Sequence, residues 1–184
     1  DIDVAYYLIH SMSSSIDSFE TMEKESATNF MEQMSSNGVR QVIYLSGIIN
    51  NNELSKHLLS RKAVEEVLKN GKYHLTTLRA GIIVGSGSAS FEIIRDLVEK
   101  LPVMIAPKWL NTRSQPIAIH NVIQYLKGVM ANEQTFDKSF DIGGSEILTY
   151  KEMLLRFAQV RNLKRVIYVV PVMTPKLSSY WLYF

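Results

Sequence analysis

Cysteine is absent from the 184 residues of this chain. The absence excludes a disulfide framework, a thiolate metal site and a cysteine nucleophile, and it is compatible with a cytoplasmic location. The four histidines, His10, His57, His74 and His120, do not have the spacing of metal ligands. We therefore predict no metal site.

An excess of one charge is also missing. Twenty basic residues are dispersed among eighteen acidic ones, for a formal net charge of +2. Such a pattern contains no basic stripe of the kind that nucleic acids require, so we predict no nucleic-acid partner. The apolar run at residues 4–9 is too short to span a bilayer and predicts a buried strand, so no membrane span is predicted.

Strand and helix patterns alternate along the chain. Apolar runs predict strands at residues 4–9, 39–45, 75–84, 117–119, 139–142 and 166–170. Helical spacing predicts five helices. The first ends at Gly38, the second spans about 54–70 and ends at Gly71, which accepts a left-handed conformation, and the third follows residue 90. The fourth spans 122–130, and the fifth begins at the capping pair Thr149 and Glu152. The alternation favours an α/β fold with a doubly wound parallel sheet.

The helix at 54–70 carries two polar residues on its apolar stripe. His57 and Arg61 share a helical face with Val64 and Leu68, the face that packs on the sheet. Buried polar groups need partners, and the hydroxyls and phosphates of a ligand are one possibility. The alternative is a pair near the rim, in which Arg61 bonds Glu65 or a backbone carbonyl.

The chain resembles the later part of an extended or atypical short-chain dehydrogenase/reductase, of the nucleoside-diphosphate-sugar epimerase and NmrA-like type. The resemblance covers nearly the whole chain and rests on the order and spacing of several short motifs. They are VIYLSG at 42–47, LSKHLLSR at 54–61, LRAGIIVG at 78–85, QPIAI at 115–119, FDIGG at 140–144, LTYKEM at 148–153 and PVMTPKLSSYW at 171–181.

The resemblance implies a site at the carboxyl ends of the strands. Ser46 occupies the catalytic serine position, and His57 and Arg61 replace the tyrosine and lysine of the Tyr-x-x-x-Lys motif. Histidine can move a proton at neutral pH, because its unperturbed pKa is about 6.5 against about 10 for tyrosine. The implied cofactor is NAD or NADP. The residues expected to contact it are His10, Ser11, Leu45, Gly47, Ala80, Gly81, Ile82 and Ile83.

The same resemblance implies two regions with different functions along the chain. Residues 1–85 are the later part of a Rossmann-like nucleotide-binding domain, and 86–184 supply further strands and a small α+β substrate lobe. Ser88, Trp109 and Gln115 are the expected substrate contacts. A glycine-rich turn from Gly85 to Ser90 lies in the context of a pyrophosphate loop, although its last position is serine, and an ordinary turn capped by Ser88 or Ser90 is the stronger interpretation.

Two functions remain open at this point. One is an NAD(P)-dependent oxidoreductase or epimerase/dehydratase with an unidentified small-molecule substrate, and the other is a non-catalytic NAD(P)-binding redox sensor or assembly factor with a protein partner. The chain begins at Asp1 without the family's glycine-rich turn and ends in an apolar run. We therefore expect a fragment whose cofactor is bound only by the full-length protein, and whose unpaired first strand promotes homo-oligomerisation or aggregation.

Overall fold

The computed structural model describes residues 2–9, 16–48 and 56–170, without the side chains of 16–20, 56 and 57. The elements in chain order are β1 (Val4–Tyr7), α1 (Ile16–Ser36), β2 (Gln41–Gly47), α2 (Lys56–Leu68), β3 (His74–Ala80), β4 (Ile83–Val84), α3 (Ala89–Lys100), β5 (Val103–Pro107), β6 (Arg113–Ser114), β7 (Ile117–Ala118), α4 (Ile119–Val129), β8 (Lys138–Ile142), β9 (Leu148–Thr149), α5 (Tyr150–Val160) and β10 (Val166–Val170).

These elements form two compact units. The first unit comprises Asp1–Gly81 and His120–Gly143, and the second comprises Ile82–Ile119 and Gly144–Phe184. The chain thus leaves the first unit, builds part of the second and returns. The functional boundary after residue 85 stays a prediction.

The first unit carries a parallel sheet in the order β1-β2-β3-β8. Apolar runs produce the central strands β2 and β3 because these are covered on both faces, whereas the edge strand β8 is largely exposed. The prediction that the first three strands are neighbours is confirmed, and so is the α/β fold class. In the register, Ser46 lies opposite Arg79, and Gly47 lies opposite Ala80.

Helices lie on both faces of this sheet. Tyr7 packs in a core with Ala27 of α1 and Val64 of α2. The side chain of the preceding residue, Tyr6, points to the opposite face because strand side chains alternate. There its hydroxyl donates to the carbonyl of Leu126 in α4 at 3.1 Å. The sheet therefore separates α1 and α2 from α4, as a doubly wound arrangement requires.

The predicted continuous strand at 75–84 is wrong in detail. β3 ends at Ala80, and after Gly81 and Ile82 the chain forms the separate strand β4. β4 pairs with β7 in the second unit, so the change of strand partner divides the run. The interval between them is too short for the apolar sequence alone to mark it.

The helix ends are partly as predicted. Gly38 has φ +68° after α1, and the N–H of Val39 donates to the carbonyl of Met34 at 3.1 Å, which is a left-handed C-terminal cap. Gly71 is different, because its φ is not positive and α2 already ends at Leu68. A β-carbon at Gly71 would lie 2.2 Å from the Tyr73 ring, so glycine permits close ring packing there.

The second unit is built on short strands. β5 and β10 pair in parallel, and their inward side chains Met104, Ala106 and Ile167 pack with residues of α3 and α5. α5 opens with the predicted capping box: Thr149 accepts from the N–H of Glu152, whose carboxylate accepts from the N–H of Thr149. The antiparallel pair β6 and β9 precedes this helix.

We predict that Gln41→Leu lowers the free energy of unfolding by about 1–3 kcal/mol. The fully buried Gln41 amide donates to Thr76 Oγ1 and to the Val129 carbonyl, both at 2.9 Å, and accepts from the Ala131 N–H at 2.7 Å. Leucine leaves these buried groups without that partner. Urea unfolding measures the change, and the exposed Gln124→Leu is the control, with a change within about 0.5 kcal/mol. Equal effects of the two variants would contradict this account of Gln41.

Candidate functional site

Ser46 lies near the carboxyl end of β2, in the middle of the parallel sheet. Only 3% of its surface is exposed, and its Oγ makes no hydrogen bond with any residue that the structure describes. The Tyr44 phenol two residues earlier shares its face, and the nearby Ser46 hydroxyl acts to lower the Tyr44 pKa, although their approach lacks the geometry of a hydrogen bond. A buried hydroxyl without a partner is uncommon and marks this position for a ligand or a bound water.

Arg61 lies beside the end of the same strand. A β-carbon on Gly47 would contact Arg61 Cδ at 3.6 Å and Leu58 Cδ2 at 3.1 Å. Glycine at this position therefore lets α2 approach β2 closely. The Tyr44 hydroxyl donates to the Arg61 carbonyl at 3.3 Å, which ties this turn of α2 to the strand below it.

The packing face predicted for α2 is the one observed. Val64 and Leu68 are buried, whereas Arg61 is half-buried one turn nearer the helix start. α2 runs back along the sheet from the carboxyl end of β2, so its first turns lie at that end. His57 is in the first turn of α2, but its side chain lies outside the described part of the structure. Its role stays a prediction.

Glu65 and Arg79 form a pair that the sequence pattern does not predict. The Glu65 side chain is 1% exposed and receives hydrogen bonds from Arg79 Nη2 at 2.8 Å, Arg79 Nε at 3.3 Å and Ser139 Oγ at 3.2 Å. Lys69 Nζ lies 3.3 Å from the same carboxylate. The expectation that Arg61 bonds Glu65 is not met, because Glu65 is engaged by β3 and β8. The helical spacing of Arg61 and Glu65 on α2 does not indicate that Glu65 pairs with Arg79, fourteen residues further along the chain.

Burial and neighbouring groups together shift the pKa values of Tyr44 and Glu65. Burial raises the pKa of the Tyr44 phenol, and the Ser46 hydroxyl and the Arg61 charge offset part of that rise. Burial also acts to raise the pKa of Glu65, but the hydrogen bonds and positive charge of Arg79, with Lys69, hold it below its ordinary value. Glu65 is therefore an anion at neutral pH, and Tyr44 is a neutral phenol.

Some predicted cofactor residues come together in the first unit. Leu45 and Gly47 end β2, and Ala80 ends β3 beside them, with the Ile48 N–H donating to the Ala80 carbonyl at 3.1 Å. Gly81 follows directly. Ile82 and Ile83 belong to the second unit. His10 and Ser11 lie outside the described residues, so their predicted contacts are not tested.

The glycine-rich turn is explained by contacts within the second unit. A β-carbon on Gly85 would lie 2.4 Å from Ile119 Cγ2, so glycine is required there for packing. The Gly87 N–H donates to Glu92 Oε1 at 3.2 Å, and a carboxylate at that amide disfavours an anion. Ser88 is the N-cap residue of α3, but its hydroxyl donates to the Ile83 carbonyl at 2.7 Å instead of capping the helix. These contacts favour the ordinary turn.

The other predicted substrate residues are also in the second unit. Trp109 is 58% exposed and packs edge-on against Tyr150, with ring centroids 5.5 Å apart. The Gln115 side-chain amide donates to the Gly144 carbonyl at 2.6 Å. Trp109 therefore presents a free ring surface, whereas Gln115 and Ser88 each have an internal partner. Their role toward a substrate stays a prediction.

Within the described ranges, no group of three His, Asp or Glu side chains could hold a metal ion. None of the helices described is long and apolar enough to cross a membrane.

Comparisons with known proteins identify the fold. No family model and no curated protein matches the chain. Three solved structures that resemble it are RMD from Pseudomonas aeruginosa complexed with NADPH (TM-score 0.76, 9% identity), UDP-glucuronic acid 4-epimerase from Bacillus cereus with NAD (0.75, 14%), and a short-chain dehydrogenase/reductase superfamily protein from Agrobacterium tumefaciens with NAD (0.71, 12%).

The alignments cover 94%, 97% and 92% of this chain, and 69%, 68% and 67% of the three structures, respectively. The coverage is similar for a tunicamycin-pathway dehydratase and for MoeE5, at 65% and 66% of those chains. This chain therefore spans about two thirds of the length of the structures it resembles. The resemblance stated from the motifs is confirmed at the level of the fold.

We predict that Ser46→Ala leaves the free energy of unfolding unchanged or raises it by up to about 1 kcal/mol. The substitution removes a buried hydroxyl that has no protein partner. Ser60→Ala is the matched control, because Ser60 is equally buried but donates to Glu23, and its loss costs about 1–2 kcal/mol. Urea unfolding compares the two. A loss above 1 kcal/mol for Ser46→Ala would indicate a structural role instead.

We also predict that Glu65→Gln destabilises the protein more at pH 7 than at pH 3. The folded-state pKa of Glu65 is lowered, so its ionic contribution is present above the unfolded value near 4.5 and is lost as pH falls through the folded value. The loss at pH 7 is about 3 kcal/mol, as for one partner of a buried ion pair. Urea unfolding at both pH values measures it, with the exposed neighbour Glu66→Gln as control. A pH-independent loss would contradict an ionised Glu65.

Proposed function

We propose that this chain is part of an NAD(P)-binding protein of the short-chain dehydrogenase/reductase type, and that the end of β2 faces the nicotinamide. The observation that carries the proposal is the buried, unpartnered Ser46 hydroxyl at the carboxyl end of a central parallel strand. Ligands of open α/β sheets bind at this end. The solved structures of the same fold that contain NAD or NADPH support the choice of cofactor.

The residues at this end suit a nicotinamide and its ribose. Ser46 offers one hydroxyl that can donate to a substrate carbonyl or alcohol oxygen. Arg61 keeps a permanent positive charge and several donors beside Gly47, a suitable arrangement for ribose hydroxyls. The bound dinucleotide would supply or accept the hydride.

In this proposal His57 transfers the proton. It precedes Arg61 by one helical turn in α2, so both residues start from the end of the helix nearest β2. During reduction His57 in its protonated form donates to the substrate oxygen that Ser46 holds, and in oxidation neutral His57 accepts that proton.

The second unit supplies the proposed substrate contacts. Trp109 offers an exposed aromatic face, and such faces bind the apolar face of a sugar or a nucleobase by stacking. Ser88 and Gln115 remain proposed polar contacts. The epimerase and dehydratase structures of the same fold support a nucleoside-diphosphate sugar as the class of substrate to test first.

A non-catalytic NAD(P)-binding sensor is the second candidate. It is favoured by one feature of the sequence, the replacement of the tyrosine and lysine pattern by His57 and Arg61. A sensor needs the nucleotide site but no proton donor. The two candidates therefore differ in turnover and agree in cofactor binding.

We predict that the natural protein containing this chain binds NADH or NADPH and reduces a carbonyl or sugar-nucleotide substrate slowly. His57→Phe keeps the ring volume but removes the proton carrier, so we expect kcat to fall by about 10²–10⁴-fold while cofactor affinity is kept. Calorimetric titration measures binding, and loss of absorbance at 340 nm measures turnover. Phe91→His, the reverse ring exchange at a residue of the second unit, is the control, and we expect it to leave cofactor affinity unchanged.

The outcomes separate the candidates. Binding without turnover on a broad panel would favour the sensor. Turnover that is unchanged in His57→Phe would exclude His57 as the acid and base. A protein that binds neither nucleotide would refute the proposal as a whole.

A further inference from the structure

The face of the first-unit sheet beneath α2 changes from apolar to polar along the strands. Near the amino ends, Val42 and Leu75 lie side by side in the core. Further along, Tyr44, Thr77 and Ser139 are aligned across three strands, and the next row toward the carboxyl ends consists of Ser46, Arg79 and Asp141. The polar rows lead directly to the proposed site.

Glu65 is the residue of α2 that contacts both polar rows. Its carboxylate accepts hydrogen bonds from Arg79, in the row nearer the carboxyl ends of the strands, and from Ser139, in the row before it. Glu65 is almost completely buried. Arg79 uses two nitrogens, and a paired contact of this kind fixes direction as well as distance. α2 is thereby held to β3 and β8 at a defined rotation about its own axis.

The pair lies one helical turn from Arg61. Four residues separate Glu65 from Arg61, a rise of about 6 Å along the same helical face. Arg79 is also the residue directly opposite Ser46 in the β2–β3 register. The ion pair therefore connects the strand position next to Ser46 with the helix turn below Arg61.

We propose that Glu65 and Arg79 are positioning residues, which hold the first turns of α2 so that Arg61 and His57 keep a fixed distance from Ser46. This inference rests on the proposed function of that site. Among the described side chains, neither residue is hydrogen-bonded to Ser46. A rotation of α2 by a few degrees moves the Arg61 side chain away from Gly47, and displacements of about 1 Å lower rates by about 10²-fold in well-ordered sites.

A double variant separates positioning from simple stability. In Glu65→Gln the half-buried Arg79 loses its carboxylate partner, and in Arg79→Gln the buried Glu65 carboxylate keeps only Lys69 and Ser139. Each single variant therefore loses stability through an incompletely paired charge. In the Glu65→Gln, Arg79→Gln protein no buried charge is left, so stability recovers relative to either single variant. The bidentate geometry does not recover. Arg156→Gln removes the exposed pair with Glu146 in the second unit and is the control.

The test combines hydrogen exchange with kinetics, well below the unfolding temperature. We expect the α2 amides to exchange roughly tenfold faster in the double variant, as local opening becomes easier, while the amides of α1 and those of the control stay as in the wild type. We also expect kcat to fall by about 10–100-fold with KM unchanged. In the single variant Glu65→Asp, which keeps Arg79, we expect a smaller loss of kcat than in the double variant, because a carboxylate is again present to pair with Arg79.

Each outcome decides a separate point. Unchanged α2 exchange in the double variant overturns the positioning role, whatever the activity. Faster exchange with unchanged kcat in an active protein also overturns it. If the wild-type protein shows neither cofactor binding nor turnover, the proposed function is refuted. Hydrogen exchange of the α2 amides then tests by itself whether Glu65 and Arg79 hold α2 in place.

Discussion

The parallel register between β2 and β3 aligns Ser46 with Arg79 and Gly47 with Ala80, and the arrangement of the candidate site depends on it. A shift of one residue would turn Ser46 to the opposite face of the sheet, away from α2. It would also remove Arg79 from Glu65. α2 approaches this strand closely at Gly47, where a β-carbon would crowd Leu58 Cδ2 at 3.1 Å.

Much of this arrangement was predictable from local sequence. The buried strands follow from apolar runs, and the start of α5 follows from Thr149 and Glu152, whose interactions span three residues. The break after Ala80 was not predictable, because it reflects a change of pairing partner to the distant strand β7. The partner of Glu65 was missed for the same reason. Helical spacing pointed to Arg61, whereas the actual partner, Arg79, is brought near by the β-α-β crossover.

The polar rows beneath α2 differ in how well they are satisfied. Glu65, Arg79 and Ser139 satisfy one another, but the hydroxyls of Ser46 and Thr77 are buried without hydrogen bonds. Buried unpaired hydroxyls oppose folding, and apolar side chains of similar size at these positions would avoid that cost. Thr77 lies next to Tyr44 inside the layer, whereas Ser46 is at its end. Of these two hydroxyls in the described part of the sheet, that of Ser46 is the one nearer the carboxyl ends of the strands.

The contacts that fix the backbone around the end of β2, here called the frame, are distinct from the side chains proposed to carry the chemistry. The low sequence identity to structures of the same fold is consistent with this distinction. With 9–14% identity to the three structures compared, few side chains are shared, yet the path of the chain is similar over most of its length. The backbone places the first turns of α2 beside the end of β2 through strand pairing, Gly47 and the Glu65 pair. None of these contacts depends on whether position 57 is a tyrosine or a histidine. The frame around the end of β2 is therefore set by strand pairing, Gly47 and the Glu65 pair, and not by the residue at position 57.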